Sequence, residues 1–220
     1  MRTVYFLCLL FISLSVHGNH NINYSQTDTT DYKSLSKKEK RKYRIDNYTG
    51  KVFWNISIPY INNFSVSYPD KRINDTGFMG ISVGFDYYYK DNSFINLTGG
   101  GIVNYFVPAP IPVFAPVNYD QISSSYFSLS HNHKIKRHKL GYGVVYSMDN
   151  VKPEEEGYDD YMPRLTNKSL GLVGSYYYQL GRAFHLGFVY RPTFISLDQF
   201  ESSYQHSISL DIAWKIRIIK

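Results

Sequence analysis

Five charged side chains pose the first chemical question in this 220-residue sequence. Asp86, Arg191, Asp211, Lys215 and Arg217 each lie in a stretch where apolar residues recur at every second position, and each takes the opposite parity. Successive side chains of a β-strand point to opposite faces, so all five belong to the face that the apolar residues leave. Sequestered charges cost several kcal/mol each unless they pair. The expected chemistry is therefore mutual neutralisation. Asp86 would meet Lys215 and Arg217 near one end, and Arg191 would approach Asp211. Such a network is a structural plug; the alternative is a gate in a conduction path.

Other constellations carry less. His131 and His133 share a strand parity and His138 lies across a turn read over 132–137, which permits a metal site in principle. No carboxylate or thiol completes it, and a basic turn is the simpler reading. His185 has the parity of a packing residue. The stretch 149–164 is acidic, but its EEEGYDD run lacks the spacing of a calcium loop. Glu201, Ser202, Ser203 and His206 cluster in sequence, a thin basis for nucleophilic catalysis. G-x-S-x-G, H-E-x-x-H, phosphate-loop and haem motifs do not occur. The expectation is a protein without catalytic residues, cofactor or metal.

The elements that must position these residues are strands. In MGISVGFDYYYKDNSFINL (79–97), Met79, Ile81, Val83, Phe85, Tyr87 and Tyr89 alternate with Gly80, Ser82, Gly84, Asp86 and Tyr88. KDNS then turns the chain, and Ile95 and Leu97 resume the pattern. The same period of two marks a first strand from Val52 to Tyr60, with Phe64, Val66 and Tyr68 continuing its parity and Pro59 marking a bulge. Further strands are read at 78–89, 94–106 (Gly99-Gly100-Gly101 as a bulge), 121–131, 140–148, 170–178, 184–190 and 208–218. That makes eight, without a convincing helix. Their connections alternate: long at 69–77, 107–120, 149–167 and 191–203, short at 90–93, 132–137 and 179–182.

The N-terminus is of another kind. Residues 1–18 combine Arg2, an apolar run from Tyr5 to Val16 and the small residues Val16 and Gly18, the layout of a cleaved secretory signal. Cys8, the one cysteine, sits inside the apolar run, whereas a lipidation cysteine would follow it. The remaining chain is an exported protein without disulfides. Its net charge falls from +6 to +5 when the signal, which holds one basic and no acidic residue, is removed. That is too mild to imply nucleic acid. Residues 19–50 are polar and aperiodic and read as a flexible arm. Its KKEKRKYR run (37–44) is a solvated linker or a contact for anionic headgroups or cell-wall polymer. Residues 51–220 form the strand domain.

The faces decide the class. The face opposite the apolar one carries Gly80, Ser82, Gly84, Gly141, Gly143, Ser207 and Ser209. Soluble exteriors are rich in charge rather than glycine. If the apolar faces meet lipid, small residues instead fill a narrow lumen. Strands of roughly 9–11 residues suffice to cross a bilayer when tilted, and short turns alternating with long loops mark a transmembrane barrel. Tyr89, Tyr178 and Trp214 near one end of their strands, and Tyr105, Tyr146 and Tyr190 near the other, read as an aromatic girdle. The N-x-S/T sequons at Asn55 and Asn96 fall at lumen parity, where a glycan does not fit, and read as accidental.

Through GFDYYYKDNSFINL (84–97), GSYYYQLGRAFHLGFVYRP (174–192) and HSISLDIAWKIRI (206–218), the chain resembles the small eight-stranded outer-membrane barrels of Gram-negative bacteria, of the OmpX and OmpW kind. The resemblance covers about 51–219 and departs at the end, which is Ile218-Ile219-Lys220 rather than an aromatic residue. It implies an all-β, eight-stranded antiparallel up-and-down barrel in the outer membrane, with both termini periplasmic. The expected role is structural or an interaction through outer loops, without enzymatic activity. The alternatives are a narrow channel or carrier for small apolar molecules and a lipid-modifying enzyme. The expected partners are the bilayer and lipopolysaccharide, with a protein partner possible at the Pro-rich loop 107–120 and the barrel a monomer.

Overall fold

The computed structural model describes residues 36–38, 48–68, 71–108, 121–152, 165–181, 183–198 and 202–218. The signal segment, most of the arm, nearly all of the Pro-rich loop and the EEEGYDD run lie outside the described residues. Eight strands run in order: β1 (Val52–Tyr68), β2 (Lys71–Lys90), β3 (Ser93–Tyr105), β4 (Gln121–Ile135), β5 (His138–Lys152), β6 (Leu165–Gln179), β7 (Phe184–Ser196) and β8 (Ser202–Arg217). Each pairs antiparallel with its neighbours, and β1 pairs with β8 to close the barrel. Closure leaves no free sheet edge. One rim, the turn end, holds the connections 91–92, 136–137 and 180–183; the other is the loop end.

The strands are longer than the alternation alone predicts. The stretch 69–77, expected as a loop, is mostly strand: Lys71 to Gly77 pair with Asn62 to Tyr68. β1 has 17 residues and β2 has 20. The turn expected at 132–137 shrinks to Lys136 and Arg137, with Lys136 at a φ of 56°. The loop expected from residue 191 begins only after Ser196. Hydrogen bonding to a neighbouring strand overrides the turn-forming composition of these segments.

Two irregularities were expected, and one of them occurs. The register shift between Pro59 and Ile61 falls at Pro59. Gly99-Gly100-Gly101 are not bulged; they pair in unbroken register with Val83-Ser82-Ile81. Further shifts occur between Phe78 and Gly80, beside Met79 with its φ of 82°, and between Thr193 and Ile195. An inserted residue reverses which parity faces inward. In β1 the lumen set is Asn55, Ser57 and Pro59 before the shift and Asn62, Phe64 and Val66 after it. Phe64 and Val66 therefore do not continue the outward face of Trp54 and Ile56. They are buried inside.

The barrel thus has two interiors. Toward the turn end the lumen is polar, with Asn55, Ser57, Ser82, Asp86, Ser130 and Asp211 buried, while Val83, Phe85, Leu97, Leu129, Val144 and Phe188 are exposed outside. Toward the loop end the lumen holds an apolar cluster of Phe64, Val66, Ile73, Ile102, Ile122 and Val151. There the outer face carries Ser67, Arg72, Asn74 and Thr76.

Candidate functional site

The charged lumen is built by facing positions of strands that meet across the barrel. Asp86 of β2 is fully buried, and Lys215 of β8 donates to its Oδ2. Asn96 Nδ2 of β3 donates to Oδ1 of the same carboxylate at 2.7 Å. The Lys215 ammonium also lies 5.0 Å from the centre of the Phe94 ring. Asp86 is thus neutralised and hydrogen-bonded, which a buried charge requires.

Arg191 and Asp211 line the same cavity, as the expected approach requires, but make no direct ion pair. Asp211 Oδ2 accepts from Tyr177 Oη at 2.7 Å and from Ser57 Oγ at 3.2 Å. Arg191 donates through Nη1 to Ser209 Oγ at 2.9 Å, and its guanidinium lies 3.9 Å from the centre of the Tyr126 ring. Arg217 has lumen parity and is exposed where β8 ends.

Several lumen groups escaped the sequence reading. Lys134 and Lys139 are buried inside near the turn end, because β4 and β5 continue through a stretch read as turn. Their parities, shared with Ser130 and Gly141, were the available signal. Asp149 was placed in a loop; it is buried and accepts from Ser147 Oγ at 3.0 Å. His185, read from its parity as a packing residue, is indeed buried and donates through Nδ1 to Ala183 O at 2.9 Å.

Small residues are a packing requirement at close approaches. A Cβ on Gly141 would stand 2.1 Å from Asn132 Oδ1, and one on Gly100 would stand 2.4 Å from Ser82 Cβ. Among the described residues one cavity of about 30 Å³ is bounded by Asn55, Asn96, Tyr126, Arg191, Asp211 and Lys215, and a smaller one of about 10 Å³ lies by Phe64, Val66 and Asp149. At roughly 10–15 Å³ of such volume per water, the larger cavity has room for about two water molecules.

Outside, His131 and His133 face away from the lumen with ring centres 4.5 Å apart. Tyr89 Oη hydrogen-bonds to His131 Nε2. His138 instead bonds Tyr176 Oη at 2.9 Å. Among the described residues no group of three His, Cys, Asp or Glu is placed to hold a metal ion. Of the expected girdle, Tyr190 and Trp214 are exposed on the outer face, and Tyr89, Tyr105, Tyr146 and Tyr178 are half-buried. Tyr178 packs against His138 and Trp214 against Phe184.

A closed barrel with an apolar outer belt and a filled polar lumen is a membrane-spanning β-barrel of small size. No protein-family model and no curated protein sequence matches the chain. Among solved structures it is similar to Neisserial surface protein A, with 14% identity over 76% of this chain and 97% of that one, at a TM-score of 0.45. It is also similar to Ail, the attachment invasion locus protein of Yersinia pestis, with 10% identity over 77% and 99% and a TM-score of 0.48. For the outer membrane protein OprG from Pseudomonas aeruginosa the values are 9%, 78%, 98% and 0.38. At these values no residue role is carried across.

Proposed function

We propose that the chain is a non-enzymatic outer-membrane barrel of a Gram-negative bacterium that works as a structural or interaction protein through its loop end. The turn end and the N-terminus would face the periplasm. The observation that carries this reading is the second interior. β1 and β2, at 17 and 20 residues, exceed the roughly 9–11 that cross a bilayer. Beyond the apolar belt the wall stays closed around a core of Phe64, Ile102 and Ile122. That part is packed like a soluble barrel and forms a stiff pedestal for the connections 106–120 and 153–164. A central cavity of only about 30 Å³ supports this role over a channel or carrier. Lipopolysaccharide at the outer face and a protein at the Pro-rich connection are the partners proposed, with a monomeric barrel.

The test is deletion of residues 109–119 and 154–163, singly and together, in cells that display the protein. Loss of cell-surface or partner binding is expected while the barrel keeps its heat-modifiable gel mobility. Ion conductance by the intact chain in a planar bilayer, or a mass change in its lipids, would contradict the reading.

A further inference from the structure

Residues that the sequence assigns to the flexible arm pack onto the aromatic layer at the turn end of the barrel. Tyr48, Thr49 and Gly50 fold onto the rim in a turn, with Gly50 at a φ of 76° and Lys51 N donating to Tyr48 O at 3.0 Å. A strand-like pair of hydrogen bonds ties this turn to β2: Gly50 N to Tyr88 O at 2.7 Å and Tyr88 N to Lys51 O at 3.0 Å. A carboxylate in the β2–β3 turn then clasps it. Asp91 Oδ1 accepts from Tyr48 N at 2.8 Å, Thr49 N at 2.8 Å and Thr49 Oγ1 at 2.7 Å.

The clasp sets one ring over the mouth. Tyr48 is buried, with its ring centre 5.3 Å from Phe53 and 4.8 Å from Tyr88, which stacks in turn on Phe94 at 4.4 Å. Ammonium groups lie against this aromatic layer: Lys134 at 3.7 Å from the Tyr48 ring centre and Lys139 at 5.6 Å from that of Phe94. Cations over aromatic faces gain roughly 0.5–2 kcal/mol as they are desolvated. Phe53, Tyr88, Phe94, Lys134 and Lys139 belong to strands and are fixed by the ladder. Tyr48 is held by the clasp and its packing.

We propose that residues 48–51 are a releasable cap that shuts the turn-end mouth, with Asp91 as its latch. The position of the N-terminal segment then controls access to the polar lumen. A partner that pulls Tyr48 off the rim opens the mouth without rearranging a strand. The proposal is independent of what the loop end binds.

Residues 19–220 contain no cysteine, so one introduced thiol reports access. Ser130→Cys places it on the central cavity, beyond the aromatic layer. The refolded protein is exposed to a small anionic methanethiosulfonate, and the rate of modification is read by mass. Tyr48→Ala is expected to raise that rate by about tenfold or more, the behaviour of a shifted local opening, and Tyr48→Phe is expected to leave it unchanged. Thr49→Ala, which removes one latch bond, is expected to give a smaller rise of roughly threefold. An unchanged rate in Tyr48→Ala with the barrel folded overturns the proposal. Should that variant fail to fold, an unchanged rate in Thr49→Ala overturns it equally.

Discussion

The two halves of this barrel solve burial in opposite ways. In the belt, Asp86, Asn96 and Ser57 are inside while Phe85, Leu97 and Leu129 face out. In the pedestal, Phe64, Ile102 and Ile122 are inside while Arg72, Asn74 and Thr76 face out. The same strands run through both. In β1 and β2 the change is made where the register shifts; in β3 and β4 the parity is unbroken, and Ile102 and Ile122 take inward positions that polar or small residues hold nearer the turn end; in β7 the shift leaves Ser196 inside and Ile195 outside, so no inversion is made there. The comparison teaches that the solvent outside a segment, not its secondary structure, decides which parity is apolar. Hydrocarbon leaves a narrow polar filling that must satisfy itself, and water leaves an ordinary core.

The comparison can be broken in each half. The largest effect is expected from Asp86→Ala, which strands the Lys215 ammonium without its partner. Breaking a buried pair costs about 3–5 kcal/mol, to be read as urea stability in lipid vesicles. Unchanged stability would remove the ion pair from the account. In the pedestal, Ile102→Ala deletes apolar volume from a fully buried site. Its cost is expected near 2–5 kcal/mol, with protease cutting confined to the loop end. Cutting at the turn end instead would show that the halves are not separate.

A third test sharpens the boundary. Phe85→Arg puts a charge on the belt, where it costs about 2–4 kcal/mol at the bilayer midplane. Asn74→Arg, on the outer face of the pedestal, is expected to change stability by less than about 0.5 kcal/mol. Equal costs for the two would place both residues in the same medium.

The smallest effect concerns the latch. Partial burial pushes the Asp91 carboxyl up, but hydrogen bonds from Thr49 and Tyr48, with Lys51 nearby, outweigh it and hold the group below its ordinary 3.8. A depressed carboxylate stabilises fully above its unfolded value, and that contribution is lost as the pH falls through the depressed one. The stability difference between the native chain and Asp91→Asn is therefore expected to be constant at pH 5–7 and to shrink below the ordinary carboxylate value. Thermal unfolding in lipid at pH 6 and pH 3 reads it.

The sequence made the belt legible and the pedestal largely illegible, for a physical reason. Alternation such as Ile81-Val83-Phe85-Tyr87 is visible because lipid demands an apolar residue at every outward position. Beyond the belt, PDKRINDTG reads as a loop because its outward positions are polar and its inward ones include Asp75 and Gly77. A bulge carries no composition of its own, so the reversed parity of Phe64 and Val66 was hidden, although Pro59 marked the place. The Asp86–Lys215 contact was legible because parity and strand end suffice to bring the two together. That Arg191 and Asp211 share a cavity without a direct ion pair was not, since it depends on the stagger between strands, which periodicity does not contain.

The most direct measurement uses the two tryptophans, Trp54 and Trp214, which are 41% and 38% exposed on the outer face. The protein is refolded into vesicles whose acyl chains carry bromine, and its fluorescence is compared with that in unlabelled lipid and with aqueous iodide present. If the apolar belt meets hydrocarbon, bromine quenches both residues and iodide reaches neither. Fluorescence that iodide quenches and brominated lipid leaves untouched would put the belt in water and contradict the assignment of faces.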